Sequence, residues 1–290
     1  MSTALIVGGG LIGMSFAQRF VDAGWDVHII DVRPKLEHVV KEKFGDRGAF
    51  FTDLEAAAKG VDFVQEAGPE NLEAKRELFM QLGQLTAEGV VLASSSSAIL
   101  PSKIAEGNPH ANRILIGHPF TPPAIMPVLE VVPGKDTEPQ IVDRAMEIYR
   151  ELGFDPSRLK KEINGFVGNR IQKVIMWEAI ALVQEGVIDV EDLDRIVRHS
   201  LGLRYAAVGP FEANRLGGGP TGGMRKLVEA IAGDWDTTLA PLQPDLAHMD
   251  EVYRQVEEAY GNGESSFAAR SETRDAKMRG FLKVIDENEG

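Results

Sequence analysis

The chain has 290 residues, 43% hydrophobic and 26% charged, with a formal net charge of −13 and no cysteine. That length suggests two domains, or one large one, with apolar material enough for a sizeable core. The acidic balance argues against nonspecific binding to nucleic acid or to an anionic membrane surface, and the lack of cysteine excludes disulfides, thiolate metal sites and a cysteine nucleophile.

Residues 4–13 read Ala-Leu-Ile-Val-Gly-Gly-Gly-Leu-Ile-Gly. A buried strand runs into Gly8-x-Gly10-x-x-Gly13, a helical pattern follows, Gly24 stops it, and a second strand, Val27–Ile30, ends in Asp31. This is the strand–turn–helix–strand context in which a glycine triplet binds a dinucleotide. Gly8 permits the tight turn, Gly10 lets backbone approach a pyrophosphate, and Gly13 lets helix and strand pack closely. The phosphates would sit against the amide-rich helix start at Leu11 and Ile12. Asp31 suits a ribose diol and repels a 2′-phosphate, so NAD is expected rather than NADP, with Arg33 as a complication. The first apolar run begins so near Met1 that no signal or transit peptide is expected. No run approaches the roughly eighteen residues of a membrane span. A cytoplasmic enzyme or binding protein is the default expectation, and no metal site is expected.

Residues 34–43 read as a helix, and 53–59 as a short one capped by Asp53. Val61–Gln65 is a strand ending at Glu66-Ala67-Gly68-Pro69-Glu70-Asn71, before a long amphipathic helix. Val90–Ala93 is the next strand and runs out into four serines, Ser94 to Ser97. Strand ends of this kind line the cofactor crevice of a doubly wound sheet. A serine hydroxyl there can meet a substrate oxygen; the residues alone do not choose among the four.

Arg113–Gly117 is an apolar strand that ends in His118-Pro119-Phe120, and a proline-rich loop leads to Val128-Leu129-Glu130-Val131-Val132. A carboxylate inside such a strand needs a partner, and His118 is the candidate. The pair is either a structural hydrogen bond closing a loop or a proton-handling unit, with the carboxylate fixing the imidazole tautomer.

A helix is expected over 138–152 and an edge strand over 158–163. From Asn164 onward helical periodicity takes over, which puts the domain boundary near Glu162: 1–162 α/β, 163–290 all helical. Helices are expected from Gly165 on, over 189–199, and over about 221–232, 244–260 and 266–286. Asn169 is either a cap or an amide aimed at a cleft. Arg204, in an apparent loop over 202–211, is either a surface charge or a bidentate carboxylate clamp. The glycine-rich 217–223 stretch reads as a hinge or lid. The apolar helical faces suggest a homodimer formed through the second domain.

Taken together, the glycine motif with Asp31, Glu66 to Lys75, Ser94 to Ser97, His118-Pro119-Phe120 with Glu130, and Gly165-Phe166-Val167-Gly168-Asn169-Arg170 resemble the 3-hydroxyacyl-CoA dehydrogenase family over nearly the whole chain. The resemblance implies a Rossmann-type doubly wound sheet followed by an all-α domain. It further implies a catalytic pair of His118 and Glu130 completed by Ser97 and Asn169, and NAD contacts at Asp31, Glu70 and Lys75. Pro122-Pro123, Gly202-Leu203-Arg204-Tyr205-Ala206 with Gly209-Pro210, and the C-terminal helix resemble the branch acting on free hydroxy acids, which holds lambda-crystallin, an L-gulonate 3-dehydrogenase, and the L-carnitine dehydrogenases. Arg204 then looks like the receiver of a substrate carboxylate. Phe120-Thr121 and Ala124-Ile125 depart from the crystallin type, and the 217–225 stretch looks more like the carnitine type. The implied activity is oxidation of a small 3-hydroxy acid, L-gulonate-like, to the 3-oxo acid. L-carnitine and 3-hydroxyacyl-CoA are the alternative substrates, and a non-catalytic NAD-binding structural protein is the alternative outside enzymes.

Overall fold

The computed structural model describes residues 2–218, 225–227, 229–230, 242–261 and 263–287. The chain divides into two compact units, Met1–Arg170 and Ile171–Gly290. The first is built on one eight-stranded sheet of order β3-β2-β1-β4-β5-β6-β7-β8. Its strands are β1 Thr3–Val7, β2 Asp26–Ile30, β3 Gly48–Phe51, β4 Phe63–Glu66, β5 Val91–Ser94, β6 Ile114–Pro119, β7 Val128–Pro133 and β8 Asp155–Arg158. The six neighbours β3-β2-β1-β4-β5-β6 pair in parallel, β7 is antiparallel to β6, and β8 is parallel to β7. Successive strands move outward on one side of β1 and then on the other, so the topology reverses between β1 and β4. Ligand crevices open at such a switch, outside the carboxyl ends of the strands.

The central strands are apolar because helices cover both faces. Side chains alternate between two cores. Ala4, Ile6 and Phe63 join Phe16, Phe20 and Tyr149 on one side. Leu5 and Val64 join Phe79, Leu82 and Ile104 on the other. The covering helices are α1 Leu11–Asp22, α2 Leu36–Phe44, α3 Leu54–Ala58, α4 Leu72–Leu85, α5 Pro101–Ile104 and α6 Pro139–Glu151. Asp53 caps α3 through the amide of Ala56, and Asn71 caps α4 through that of Ala74, each satisfying an amide that the helix leaves free.

Some elements differ from the sequence expectation. Strand β3, Gly-Ala-Phe-Phe, was too short to show a period. The edge strand is Asp155–Arg158, not 158–163. Residues beyond it turn back over the sheet, where the backbone amide of Ser102 donates to Glu162 and Phe166 is fully buried.

Helix α7, Gly168–Gln184, leads into the second unit, where α8 Val190–His199, α9 Leu201–Gly217, α10 Asp250–Tyr260 and α11 Gly263–Asp286 follow. The expected loop over 202–211 is helical. Helix α9 runs through it with one break at Gly209 (φ 65°), and Pro210 restarts the helix; proline's fixed φ suits a first turn. Helix α10 begins at Asp250, because residues 242–249 are held otherwise. Gln184 exchanges hydrogen bonds with the backbone of Asp245, and the Leu242 amide donates to Glu178. Most of the glycine-rich 217–223 stretch, and part of the helix expected over 221–232, lie outside the described residues.

Candidate active site

The glycine turn after β1 has the geometry that a dinucleotide needs. Gly8 holds φ +102°, a left-handed conformation in which a side chain is strained. A Cβ on Gly13 would stand 1.9 Å from the Gly8 carbonyl oxygen, while the space around Gly10 is open. The turn is thus closed beneath and free above, and α1 starts at once with Leu11 and Ile12, whose amides are free of helical partners. A cleft of about 590 Å³ adjoins it, lined by Val7, Gly8, Asp31, Glu66, Lys75 and Leu78 among others. These residues fit an NAD adenosine and pyrophosphate.

Asp31 sits at the end of β2 with its side chain only 7% exposed. Its carboxylate accepts from the Gly9 amide at 2.8 Å, from the Arg33 amide at 2.9 Å, and from Arg33 Nε and Nη2 at 2.8 and 2.7 Å. The Arg33 guanidinium, more than any other cause, holds this carboxyl far below the usual carboxylate range.

At the ends of β4 and β5, hydroxyls meet acids and amides pair by pair. Lys75 Nζ lies 2.7 Å from both oxygens of Glu66, with both residues buried. Glu66 also accepts from the Gly68 amide and from Ser94 Oγ. Gln65 Nε2 donates to Ser95 Oγ at 2.8 Å, and Gln65 Oε1 accepts from the Tyr149 hydroxyl at 2.7 Å. Glu70 accepts from Ser96 Oγ and from the amides of Ala98 and Ile99. Burial pushes the Glu70 carboxyl up, but these bonds and nearby Lys75 outweigh it and hold the group below its ordinary value. Three of the four serines are therefore bonded beneath the loop. Ser97 is exposed, and among the described residues only its carbonyl is bonded, accepting from Asn169 Nδ2 at 3.3 Å.

His118 and Glu130 face each other in register across β6 and β7. Nδ1 of His118 lies 2.9 Å from Glu130 Oε2, with the residues 4% and 3% exposed. The other oxygen, Oε1, accepts from the amides of Val167 and Gly168 at 2.9 and 3.1 Å. Gly165 (φ 76°) and Phe166 (φ 48°) turn the chain so that those amides point inward. A left-handed phenylalanine is uncommon and strained, and Phe166 is held by full burial with its ring centroid 5.3 Å from that of His118. Phe120 flanks the imidazole at 5.4 Å. Burial raises the Glu130 carboxyl, but the bonds from His118, Gly168 and Val167 outweigh it and keep the group below its ordinary value. An ionised Glu130 accepts from a protonated Nδ1, and in the neutral imidazole Nε2 then keeps its lone pair. Among the described residues Nε2 has no hydrogen-bond partner.

The sheet unit thus brings Asp31, past the end of β2, and Lys75, on α4, to one cleft, with Glu70 4.0 Å from Lys75, and pairs His118 with Glu130 and Ser97 with Asn169. Arg204 lies in the other unit, exposed on α9. Sequence reasoning passed over Gln65, Tyr149 and the amides of Val167 and Gly168. The one available signal was a glutamine in the apolar strand expected over Val61–Gln65.

Residues 35–163 match the model of the 3-hydroxyacyl-CoA dehydrogenase NAD binding domain, and residues 165–263 match that of the C-terminal domain. The chain is 40% identical over 234 residues to lambda-crystallin of Oryctolagus cuniculus, covering 73% of each chain. It is 40% identical over 283 residues to a 3-hydroxyacyl-CoA dehydrogenase of Gibberella moniliformis, covering 89% of this chain and 88% of that one. The crystal structure of 5-formyl-3-hydroxy-2-methylpyridine 4-carboxylic acid 5-dehydrogenase, an NAD+-dependent dismutase, is similar with a TM-score of 0.81 at 25% identity over 99% of each chain. With a glycine turn at one strand end and a buried imidazole–carboxylate pair at another, this chain belongs to the 3-hydroxyacyl-CoA dehydrogenase family of NAD-dependent oxidoreductases.

Proposed function

We infer that this protein oxidises the 3-hydroxyl of a small free 3-hydroxy acid, L-gulonate-like, to the 3-oxo acid. The observation that carries the reading is the hydrogen bond between His118 Nδ1 and Glu130, which leaves Nε2 as the open base. His118 Nε2 takes the hydroxyl proton, and the imidazolium that forms is stabilised by the adjacent carboxylate. NAD, when bound, supplies the acceptor for the hydride that leaves the same carbon. Glu130 stays ionised through the proton transfer because two backbone amides and the imidazole hold it so. The free Ser97 hydroxyl and the Asn169 amide hold the substrate oxygen. In the reverse direction His118 is the acid.

Arg204 is the proposed receiver of the substrate carboxylate. A free acid suits the chain better than a coenzyme A ester, because the ester's phosphates call for a basic cluster and the net charge is −13. The identity to a 3-hydroxyacyl-CoA dehydrogenase supports the ester as the second reading, and L-carnitine is the alternative free acid. Ile171, Val174, Phe211 and Phe281 are more than half exposed on α7, α9 and α11, which supports a homodimer formed through the helical domain. Among the described residues no helix is long and apolar enough to cross a membrane; the proposed location is the cytoplasm.

The test is NADH formation at 340 nm with L-gulonate, L-carnitine and 3-hydroxybutyryl-CoA side by side. L-gulonate should be preferred; preference for the thioester would overturn the substrate assignment. His118→Gln should abolish turnover while NADH binding persists. Tight NADH binding by the native chain without oxidation of any hydroxy acid would favour the structural, non-catalytic reading.

A further inference from the structure

Asp31 is fully engaged before any ribose reaches it. An ionised carboxylate offers about four acceptor positions. All are taken: two by the backbone amides of Gly9 and Arg33, and two by Arg33 Nε and Nη2. The backbone amides are fixed by the turn that makes the cleft. The guanidinium is not, since its side chain is 47% exposed and among the described residues it bonds to Asp31 alone. A ribose diol brings two hydroxyl donors, which is the number that the guanidinium supplies.

We propose that Arg33 occupies the ribose seat on Asp31, so that cofactor binding must displace it and the chain discriminates less between NAD and NADP than a bare aspartate would. This rests on the dinucleotide reading of the cleft. The consequence has two parts. While the guanidinium stays, the diol lacks acceptors and NADH binds more weakly. It also masks the charge of Asp31, which would otherwise repel a 2′-phosphate. The guanidinium side of the pair is open to solvent, where such a contact is readily displaced, so the seat is guarded without being closed.

The test is fluorescence titration of NADH and NADPH against the full chain and its Arg33→Met variant, which keeps the aliphatic stem and the backbone amide but removes the guanidinium. The variant should bind NADH about two- to fivefold more tightly, and the ratio of NADPH to NADH dissociation constants should rise by more than that. Because Arg33 is exposed, the melting temperature should not move. NADH binding that is unchanged or weaker in the variant, or an unchanged ratio, overturns the proposal and leaves the dehydrogenase reading standing. Failure of both chains to bind NADH removes the cofactor reading itself, and this proposal with it.

Discussion

The hydroxyl of Tyr149 stands where a side chain on Gly117 would be: an ideal Cβ at 117 falls 1.9 Å from it. Gly117 immediately precedes His118, and the same hydroxyl donates to Gln65, which in turn reaches Ser95. One buried phenol, kept protonated by burial, thus ties the histidine strand to the serine loop. Gly117→Ala should destabilise the chain by about 1–3 kcal/mol through overpacking. Tyr149→Phe should cost about 1–3 kcal/mol, since it leaves a buried glutamine oxygen without its donor. Combined, the two should lose less than the sum, because the phenylalanine removes the atom that the methyl strikes. Urea unfolding of the three variants measures this, and strict additivity would contradict the shared contact.

The four serines should separate experimentally. Ser97→Ala removes a hydroxyl with no partner among the described residues, so its unfolding free energy should stay within about 0.5 kcal/mol of the native chain while turnover falls. Ser94→Ala strips a donor from the buried Glu66 and should cost about 1–3 kcal/mol. Normal turnover in Ser97→Ala, with an activity loss confined to Ser94→Ala, would move the substrate contact elsewhere.

Much of the site was legible because its pairs are set by local geometry. Gly8 to Asp31 is one continuous unit, and His118 meets Glu130 because a hairpin in antiparallel register puts opposite residues side by side. Which serine is free was not legible from the residues alone, and only the family resemblance pointed to Ser97. The choice depends on Gln65, Glu66 and Glu70, and Gln65 is bonded by a tyrosine 84 residues away. Phe166 was not legible either, because nothing in Gly165-Phe166 announces a left-handed phenylalanine held by burial. In α9 the glycines and proline read as loop punctuation, yet the helix needs only one break, at Gly209.

Acid should weaken the fold through Glu130. Its carboxyl titrates below the ordinary value in the folded chain, so the unfolded state binds the proton first. The stabilisation is then fully present above the unfolded pKa of about 4.3 and is lost as pH falls through the lower folded value. Glu130→Gln removes this titration. Between pH 6 and pH 3.5 the variant should lose less stability than the native chain, as read by urea midpoints at each pH. Parallel losses in the two proteins would show that Glu130 is not held low.

The Lys75–Glu66 pair offers the sharpest separation of folding from cofactor binding. Both groups are buried and bonded at 2.7 Å, and Glu66 also accepts from Gly68 and Ser94. Lys75→Met leaves a buried carboxylate without its cation, which should cost about 3–5 kcal/mol. Replacing both, with Glu66→Gln added, removes the stranded charge while keeping a group able to accept from Gly68, so most of that stability should return. Both residues line the cleft, and the ammonium is the positive charge that the pair presents there. The double variant should therefore unfold near the native urea midpoint yet bind NADH at least several-fold more weakly in fluorescence titration. If stability and NADH affinity recovered together, Lys75 would serve the fold alone and the cofactor contact assigned to it would be lost.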